Sequence, residues 1–230
     1  MPLPVNKNMK KTIKNKYAND CLGQSLDQCL GVVLAGGLSS RMGENKASLM
    51  RNNTSMLDYS KQLLTRLDIK NIVISGNDYD IPDLFPNLGP MSGIYSVIKS
   101  YRPKALLILP VDLPLMNTES LAQLKQIGEL SHKAVYFEDN FLPLYLPVTA
   151  HVEQFFDQQL LSLNKVSADT SIASDTNISA NNKMTKGPSM KALLKQTPSQ
   201  AIKPKNINSL FNSNTPQEWR HAQTQFSTRK

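Results

Sequence analysis

The chain has 230 residues, of which 40% are hydrophobic, and this suits one α/β domain with a sizeable buried core. No apolar run approaches the length of a membrane span, so we expect no transmembrane segment. Cys21 and Cys29, the only cysteines, do not form a C-x-x-C pair, which argues against a disulfide framework and a cysteine metal site. We therefore expect free thiols in a reducing, cytoplasmic compartment.

The net charge of +8 is concentrated at the N-terminus, where residues 1–16 hold five lysines and no acid. We expect residues 1–28 to be a flexible basic extension and residues 29–230 to form the domain. No apolar h-region follows the lysines, so we do not expect a secretory signal. The lysines could instead bind nucleic acid or an anionic membrane surface, but a solvated terminus is the favoured interpretation.

Short apolar runs alternate with amphipathic segments in the first half of the chain, which predicts parallel strands joined by helices. Ser55 is a candidate cap for the first helix, and residues 51–54 read as a polar loop. The run at 104–109 is uninterrupted, as in a central parallel strand. The predicted elements are strand 30–34, helix 55–67, strand 71–75, helix 94–101 and strand 104–109.

The second half of the chain contains a predicted hairpin and a polar insertion. Residues 164–186 include eleven Ser, Thr or Asn among 23 residues and no aromatic residue, so we expect a flexible insertion there. Thr215 is a candidate helix cap, with Pro216 at the first helical position. The predicted elements are helix 118–130, strands 133–138 and 142–148, helices 151–163 and 190–194, an edge strand at 201–203, and a final helix from 216.

A glycine-rich turn with cations follows the first strand: residues 34–46 read L-A-G-G-L-S-S-R-M-G-E-N-K. Gly36 and Gly37 allow backbone N–H groups to approach an anion, and Arg41 and Lys46 can neutralise phosphate oxygens. The P-loop and the G-x-G-x-x-G dinucleotide motif both fail to match this spacing. An ordinary strand-to-helix turn with surface cations is the alternative.

Asp112 is the other prominent residue, because it follows the apolar strand 104–109 almost directly. A carboxylate there suits Mg²⁺ that bridges nucleotide phosphates, since this cation prefers oxygen ligands. A helix cap or a pair with a nearby lysine is the alternative. The glycine turn, the turn at 75–77 and Asp112 all follow strands, and ligands of open α/β sheets bind beyond the carboxyl ends of strands.

The motif L-A-G-G-x-x-x-R-M-G-x-x-K resembles the signature of the molybdenum cofactor guanylyltransferases, a family in the nucleotidyltransferase superfamily. Pro110-Val-Asp112-Leu-Pro114 matches the family's Pro-x-Asp-x-Pro, and the matches run in order from about residue 30 to 225. The resemblance implies a three-layer α/β/α Rossmann-like fold with a mostly parallel twisted sheet.

The resemblance also implies roles for individual residues. Arg41, Lys46 and Asp112 would be catalytic, and Asp112 would bind Mg²⁺. Ser75 stands where guanylyl members often have Asn, and Asn77 is a candidate to take its place. The residues that the resemblance implies in nucleotide binding are Leu34, Ala35, Gly36, Gly37, Lys46, Ser75, Asn77, Asp83 and Asp112.

Two further motifs resemble the acceptor side of the family's site. Gly89-Pro90-Met-Ser-Gly93 matches its Gly-Pro-x-x-Gly turn, and Asn212-Ser-Asn214-Thr-Pro matches its Asn-x-Asn-Thr-Pro. The implied partners are GTP and molybdopterin cofactor, with other molybdenum cofactor biosynthesis proteins, target molybdoenzymes or their chaperones as further partners.

The implied reaction is transfer of GMP from GTP to the terminal phosphate of the molybdenum-molybdopterin cofactor, with release of pyrophosphate. One alternative is a nucleotidyltransferase that uses CTP or ATP, or a different phosphorylated acceptor. Others are a non-catalytic nucleotide-binding protein and nucleic-acid binding through the lysine tail.

Overall fold

The computed structural model describes residues 29–36, 45–85, 88–169 and 188–227, with side chains for all of these except 160–169 and 227. The strands are β1 Cys29–Leu34, β2 Met50–Arg51, β3 Thr54–Ser55, β4 Ile72–Ser75, β5 Ala105–Pro110, β6 Ala134–Phe137, β7 Asn140–Pro147 and β8 Ser199–Ile202. The helices are α1 Met56–Thr65, α2 Pro90–Tyr101, α3 Thr118–Ser131, α4 Ala150–Asp169, α5 Met190–Gln196 and α6 Pro216–Ser227, with 3₁₀ turns at Lys46–Ser48 and Ile207–Leu210.

Six strands form one sheet in the order β4-β1-β5-β7-β6-β8. β1 pairs in parallel with β4 and β5, β8 pairs in parallel with β6, and β7 runs antiparallel to its two neighbours. Five of these six strands therefore point the same way, and the predicted mostly parallel sheet is confirmed. β8 lies at the edge, as the sequence predicted.

Helices cover both faces of the sheet, because its central strands are apolar on both sides. Successive residues of β5 point to opposite faces. Leu106 and Ile108 pack into the core beneath α2, α4 and α5, whereas Leu107 and Leu109 pack into the core beneath α1, α3 and α6. The predicted three-layer α/β/α architecture is confirmed.

Several element boundaries differ from those predicted by one or two residues, and three differences are larger. Residues 51–54 belong to a β2–β3 hairpin and not to a plain loop, because Asn52 and Asn53 both adopt the positive φ that a tight hairpin turn needs. α2 begins at Pro90, four residues earlier than predicted. α4 continues to Asp169, so residues 164–169 of the expected insertion are helical, and residues 170–187 lie outside the described part.

The helix starts follow the side-chain chemistry of the sequence. Ser55 accepts a hydrogen bond from the Asp58 N–H at 3.0 Å and caps α1, as predicted. Asn117 caps α3 by accepting from the Ser120 N–H at 2.8 Å. None of the described helices combines the length and the apolar character that a membrane crossing requires.

Candidate active site

The three strand ends that carry the predicted chemistry are adjacent. Leu34, at the end of β1, pairs with Ser75 of β4 on one side and Pro110 of β5 on the other. The contact continues beyond the strands, because the Val111 N–H donates to the Leu34 carbonyl at 3.1 Å. Asp112 therefore begins its loop beside the glycine turn, at the carboxyl edge of the sheet where ligands of open α/β sheets bind.

The first part of the glycine turn is anchored on β4. The N–H groups of Ala35 and Gly36 both donate to the Ser75 carbonyl, at 2.9 and 3.1 Å. Gly76 has a φ of +156°, and a Cβ on it would lie 3.0 Å from the Gly36 nitrogen and 2.8 Å from the Tyr79 ring. The two turns thus approach so closely that a side chain at Gly76 would collide with them.

Gly37 and Arg41 lie outside the residues that the structure describes, so their phosphate contacts stay predictions. Lys46, the last residue of the motif, is described. It begins the 3₁₀ turn Lys46–Ser48, whose start is capped by Asn45, and Asn45 also donates from Nδ2 to the Tyr79 hydroxyl at 3.2 Å. Tyr79, which the sequence did not single out, therefore joins the end of the glycine-rich segment to the turn after β4.

Lys46 and Asp112 form an ion pair, with 3.2 Å between Nζ and Oδ2, and their side chains are 18% and 20% exposed. Lys46 Nζ also donates to Asn214 Oδ1 at 2.5 Å. Of the two alternatives for Asp112, the helix cap is excluded because Asn117 caps α3. The lysine pair is real, but its lysine is the one that the motif assigns to the phosphates.

The two carboxylate oxygens of Asp112 differ, because Oδ2 is the one that pairs with Lys46. Oδ1 is buried and has no hydrogen-bond partner among the residues described. A buried carboxylate oxygen without a partner is costly, and this one is available to a metal ion or a water molecule. No group of three His, Cys, Asp or Glu side chains surrounds a common point in the described part of the chain.

The loop that carries Asp112 is held by residues that the sequence did not mark. Arg51 donates from Nε to the Pro114 carbonyl at 2.8 Å, and its guanidinium lies 3.9 Å from the centre of the Tyr59 ring. Tyr59 in turn donates its hydroxyl to the Met116 carbonyl. Such a planar cation on an aromatic ring gives a rigid support for the loop, and no local pattern predicts it.

Asp83, which the resemblance implies in nucleotide binding, lies next to the glycine turn. Its Oδ2 atom is 3.7 Å from the point that a Cβ of Gly36 would occupy. Partial burial raises the pKa of this carboxyl above its ordinary value. Asn77, the other candidate near this turn, is exposed on the surface after β4.

Ser75 and Gly93 lie behind the site. Ser75 is 1% exposed, and its Oγ atom has no partner in the described part. A Cβ on Gly93 would lie 2.5 Å from that Oγ, so the glycine lets α2 pack closely on the end of β4. This arrangement favours a positioning role for both residues, through the Ser75 carbonyl that anchors the turn, and a direct ligand contact for either stays a prediction.

The remaining acceptor-side candidates lie in two segments, one attached to the Asp112 loop and one at the start of α2. Asn214 contacts Lys46 directly, and Asn212 is exposed two residues earlier. Ser213 between them donates its N–H to the Asp112 carbonyl at 3.0 Å, so this segment is attached to the carboxylate loop. Gly89 and Pro90 are exposed at the start of α2, where Gly89 has a φ of +60°.

The raised pKa of Asp83 leads to a stability prediction. Ionisation of a carboxyl with a raised folded-state pKa opposes folding, so this cost is absent below the ordinary pKa of Asp and complete above the folded-state pKa. Asp83→Asn is therefore expected to raise the melting temperature at pH 7, with the difference shrinking towards pH 4. Thermal unfolding between pH 4 and 8 measures this, with Asp78→Asn, in an exposed part of the same turn, as the control. A difference in melting temperature between Asp83→Asn and the unmodified protein that stays constant across pH would contradict this prediction.

The family match identifies the chain as a nucleotidyltransferase, and the fold and the geometry of this site agree with that class. The model of the family described as MobA-like NTP transferase domain matches residues 31–171. The chain therefore belongs to this family. The predicted resemblance to molybdenum cofactor guanylyltransferases is thereby confirmed at the level of the family.

Relatives and solved structures agree with this assignment. The molybdenum cofactor guanylyltransferase of Xanthomonas euvesicatoria pv. vesicatoria is 39% identical over 128 residues, 54% of this chain and 67% of the relative. That of Rhizobium meliloti is 39% identical over 110 residues, 41% of this chain and 50% of the relative. The matches thus span between half and two thirds of these relatives' lengths.

Two solved structures share the fold. Molybdopterin-guanine dinucleotide biosynthesis protein A from Archaeoglobus fulgidus gives a TM-score of 0.58 at 17% identity, over 86% of this chain and 99% of that one. The 2-C-methyl-D-erythritol 4-phosphate cytidylyltransferase of Thermus thermophilus gives 0.52 at 12% identity, over 87% of this chain and 100% of that one. At these identities the likeness concerns the fold alone.

Proposed function

We propose that this chain transfers GMP from GTP to the terminal phosphate of the molybdenum-molybdopterin cofactor and releases pyrophosphate. The observation that carries the proposal is the meeting of Asp112, Lys46 and the Gly36 turn at one edge of the sheet. The relatives that are 39% identical and named molybdenum cofactor guanylyltransferase support GTP and molybdopterin as the substrates.

The glycine turn and Lys46 would bind the triphosphate. The Gly36 N–H is bonded to the Ser75 carbonyl, and a Cβ on Gly36 would face Gly76 and Asp83, so Gly36 would fix the turn at the edge of the sheet where the triphosphate binds. The Lys46 ammonium already lies beside the Asp112 carboxylate and would neutralise charge on the departing pyrophosphate together with Arg41. Asp83, next to Gly36, would contact the nucleoside part of GTP.

Asp112 would hold Mg²⁺. This cation keeps several waters and is usually bound by one or two carboxylates together with substrate phosphates, so a single aspartate suffices. The Oδ1 atom, which is buried and has no partner among the described residues, fits that role. When bound, Mg²⁺ would supply positive charge next to the reacting phosphate.

The acceptor would approach from the side of Gly89, Pro90 and Gly93 and of Asn212 and Asn214. Its terminal phosphate is already an anionic nucleophile, so the chain needs no general base. An acceptor oxygen forms a bond to the α-phosphorus of GTP while the bond to the β-phosphate oxygen breaks, and pyrophosphate leaves. The residues of this chain therefore act by holding the two anions in line and by neutralising charge.

A comparison of nucleotides tests the proposal. With Mg²⁺ and GTP at about 100 times the Kd of GTP, the melting temperature is expected to rise by roughly 5–10 °C, and CTP, ATP or UTP at that same concentration is expected to raise it less. The shift is expected to fall when EDTA removes the metal. Pyrophosphate release should then require GTP and molybdenum cofactor together.

Each other outcome has a defined meaning. A larger rise in melting temperature with CTP or ATP would show that this nucleotide, and not GTP, is the donor. A GTP shift with no pyrophosphate release in the presence of the cofactor would favour a nucleotide-binding protein without this turnover.

A further inference from the structure

Glu218 lies in the first turn of α6 and makes an unusual set of contacts for a surface glutamate. One carboxylate oxygen, Oε2, accepts from the Asn214 N–H at 2.7 Å and from the Thr215 N–H at 2.9 Å. The Glu218 N–H donates in return to the Thr215 hydroxyl at 3.2 Å. The Thr215–Glu218 exchange is a capping box, which ordinarily stabilises the start of a helix.

The contact with Asn214 goes beyond helix capping, because that residue precedes the cap. The side chain of Asn214 accepts the hydrogen bond from Lys46 at 2.5 Å, and Lys46 also contacts Asp112. Ser213 fastens the same segment to the Asp112 carbonyl at 3.0 Å. A short series of hydrogen bonds therefore leads from Glu218, through Asn214 and Lys46, to the carboxylate of Asp112.

The charges agree with this geometry. The Asn214 backbone amide, followed by the Thr215 hydroxyl, lowers the pKa of Glu218 below its ordinary value, and the nearby Lys46 ammonium acts in the same direction. Glu218 is therefore ionised at neutral pH. Its negative charge and the Lys46 ammonium attract each other, which favours holding the ammonium near Asn214.

We propose that Glu218 is a positioning residue of the active site, which holds Asn214 in place and thereby sets the position of the Lys46 ammonium beside Asp112. This inference rests on the proposed function for its effect on turnover, but the positioning itself does not. Its physical basis is that a displacement of about 1 Å of a charged group can cost up to about 10²-fold in rate.

The direct test measures how fast the Lys46 amine reacts with a labelling reagent. An amine-reactive reagent with mass-spectrometric detection is expected to label Lys46 several-fold faster in Glu218→Ala than in the unmodified protein, because Lys46 loses a fixed acceptor. Glu153→Gln, which removes a first-turn glutamate from α4 on the other face of the sheet, is the matched control and should leave the rate unchanged. Equal labelling of Lys46 in a folded Glu218→Ala protein would overturn the proposal, whether or not the proposed reaction occurs.

A double-mutant cycle tests the effect on turnover. Glu218→Ala alone is expected to lower kcat about tenfold or more, whereas in the Asn214→Ala background it should have little further effect, since both act through the same contact. Independent effects that multiply would show that Glu218 does not act through Asn214 and would overturn the proposal. If Glu218→Ala fails to fold, Glu218→Met, which is similar in length and has no oxygen to accept from the Asn214 and Thr215 N–H groups, takes its place in both tests.

Discussion

Asp112→Asn is expected to lower the rate of pyrophosphate release by about 10²–10³-fold while the protein keeps its fold. The substitution preserves the size of the side chain but removes the charge that would hold Mg²⁺ and that pairs with Lys46. The Asp112 side chain is 20% exposed, and the contact of its backbone carbonyl with Ser213 does not depend on the carboxylate. Steady-state kinetics with GTP and molybdenum cofactor, together with a melting curve, measure both halves of this expectation.

The matched control is Asp157→Asn. Asp157 also pairs with a lysine, Lys99, at 2.9 Å, but on the surface, where the two side chains are 50% and 40% exposed. Loss of such an exposed pair has little effect on stability, and we expect turnover to be unchanged. Near-normal turnover in Asp112→Asn would end the assignment of Asp112 as the metal-binding residue.

Lys46→Met is expected to weaken GTP binding by about 10²-fold and to leave guanosine binding within about twofold of normal. The physical reason is that, in the proposed function, Lys46 would supply charge to the phosphates and would not contact the nucleoside. Methionine keeps the unbranched apolar stem and removes only the ammonium. Calorimetry with GTP and with guanosine, each in the presence of Mg²⁺, separates the two effects.

Lys99→Met is the control for this substitution, because it removes an ammonium from an ion pair that lies away from the site. The same loss of affinity for GTP and for guanosine in Lys46→Met would count against a phosphate role. It would indicate instead that the ion pair with Asp112 serves only to hold the site together.

Much of the fold could be predicted from the sequence, because its signals are local. The run at 105–109 is apolar at every position, which is typical of a strand with helices on both faces. Ser55 and Thr215 mark helix starts through their own side chains. The hairpin at 50–55 was missed although its signal was present, since adjacent asparagines tolerate the positive φ that such a turn requires.

The candidate site could be predicted only in part. The sequence predicted its residue types and their places after strands. It also predicted that these places meet, because parallel strands bring their carboxyl ends to one edge of the sheet. The capping box Thr215-x-x-Glu218 was also readable, but its connection to Lys46 was not. Arg51 gave no local sign that it supports the loop after Asp112, since that contact joins residues 63 positions apart.

The amino-acid sequence by itself determined the order of strands and helices, the glycine turn and the aspartate after β5, because each depends on neighbouring residues. Only the tertiary structure decided that Lys46 lies between Asp112 and Asn214, which are 66 and 168 positions away in the chain. It also decided that the side chain of Ser75 lies beneath α2, out of contact with solvent. Such contacts depend on how helices pack on the sheet, and that packing is a property of the whole folded chain.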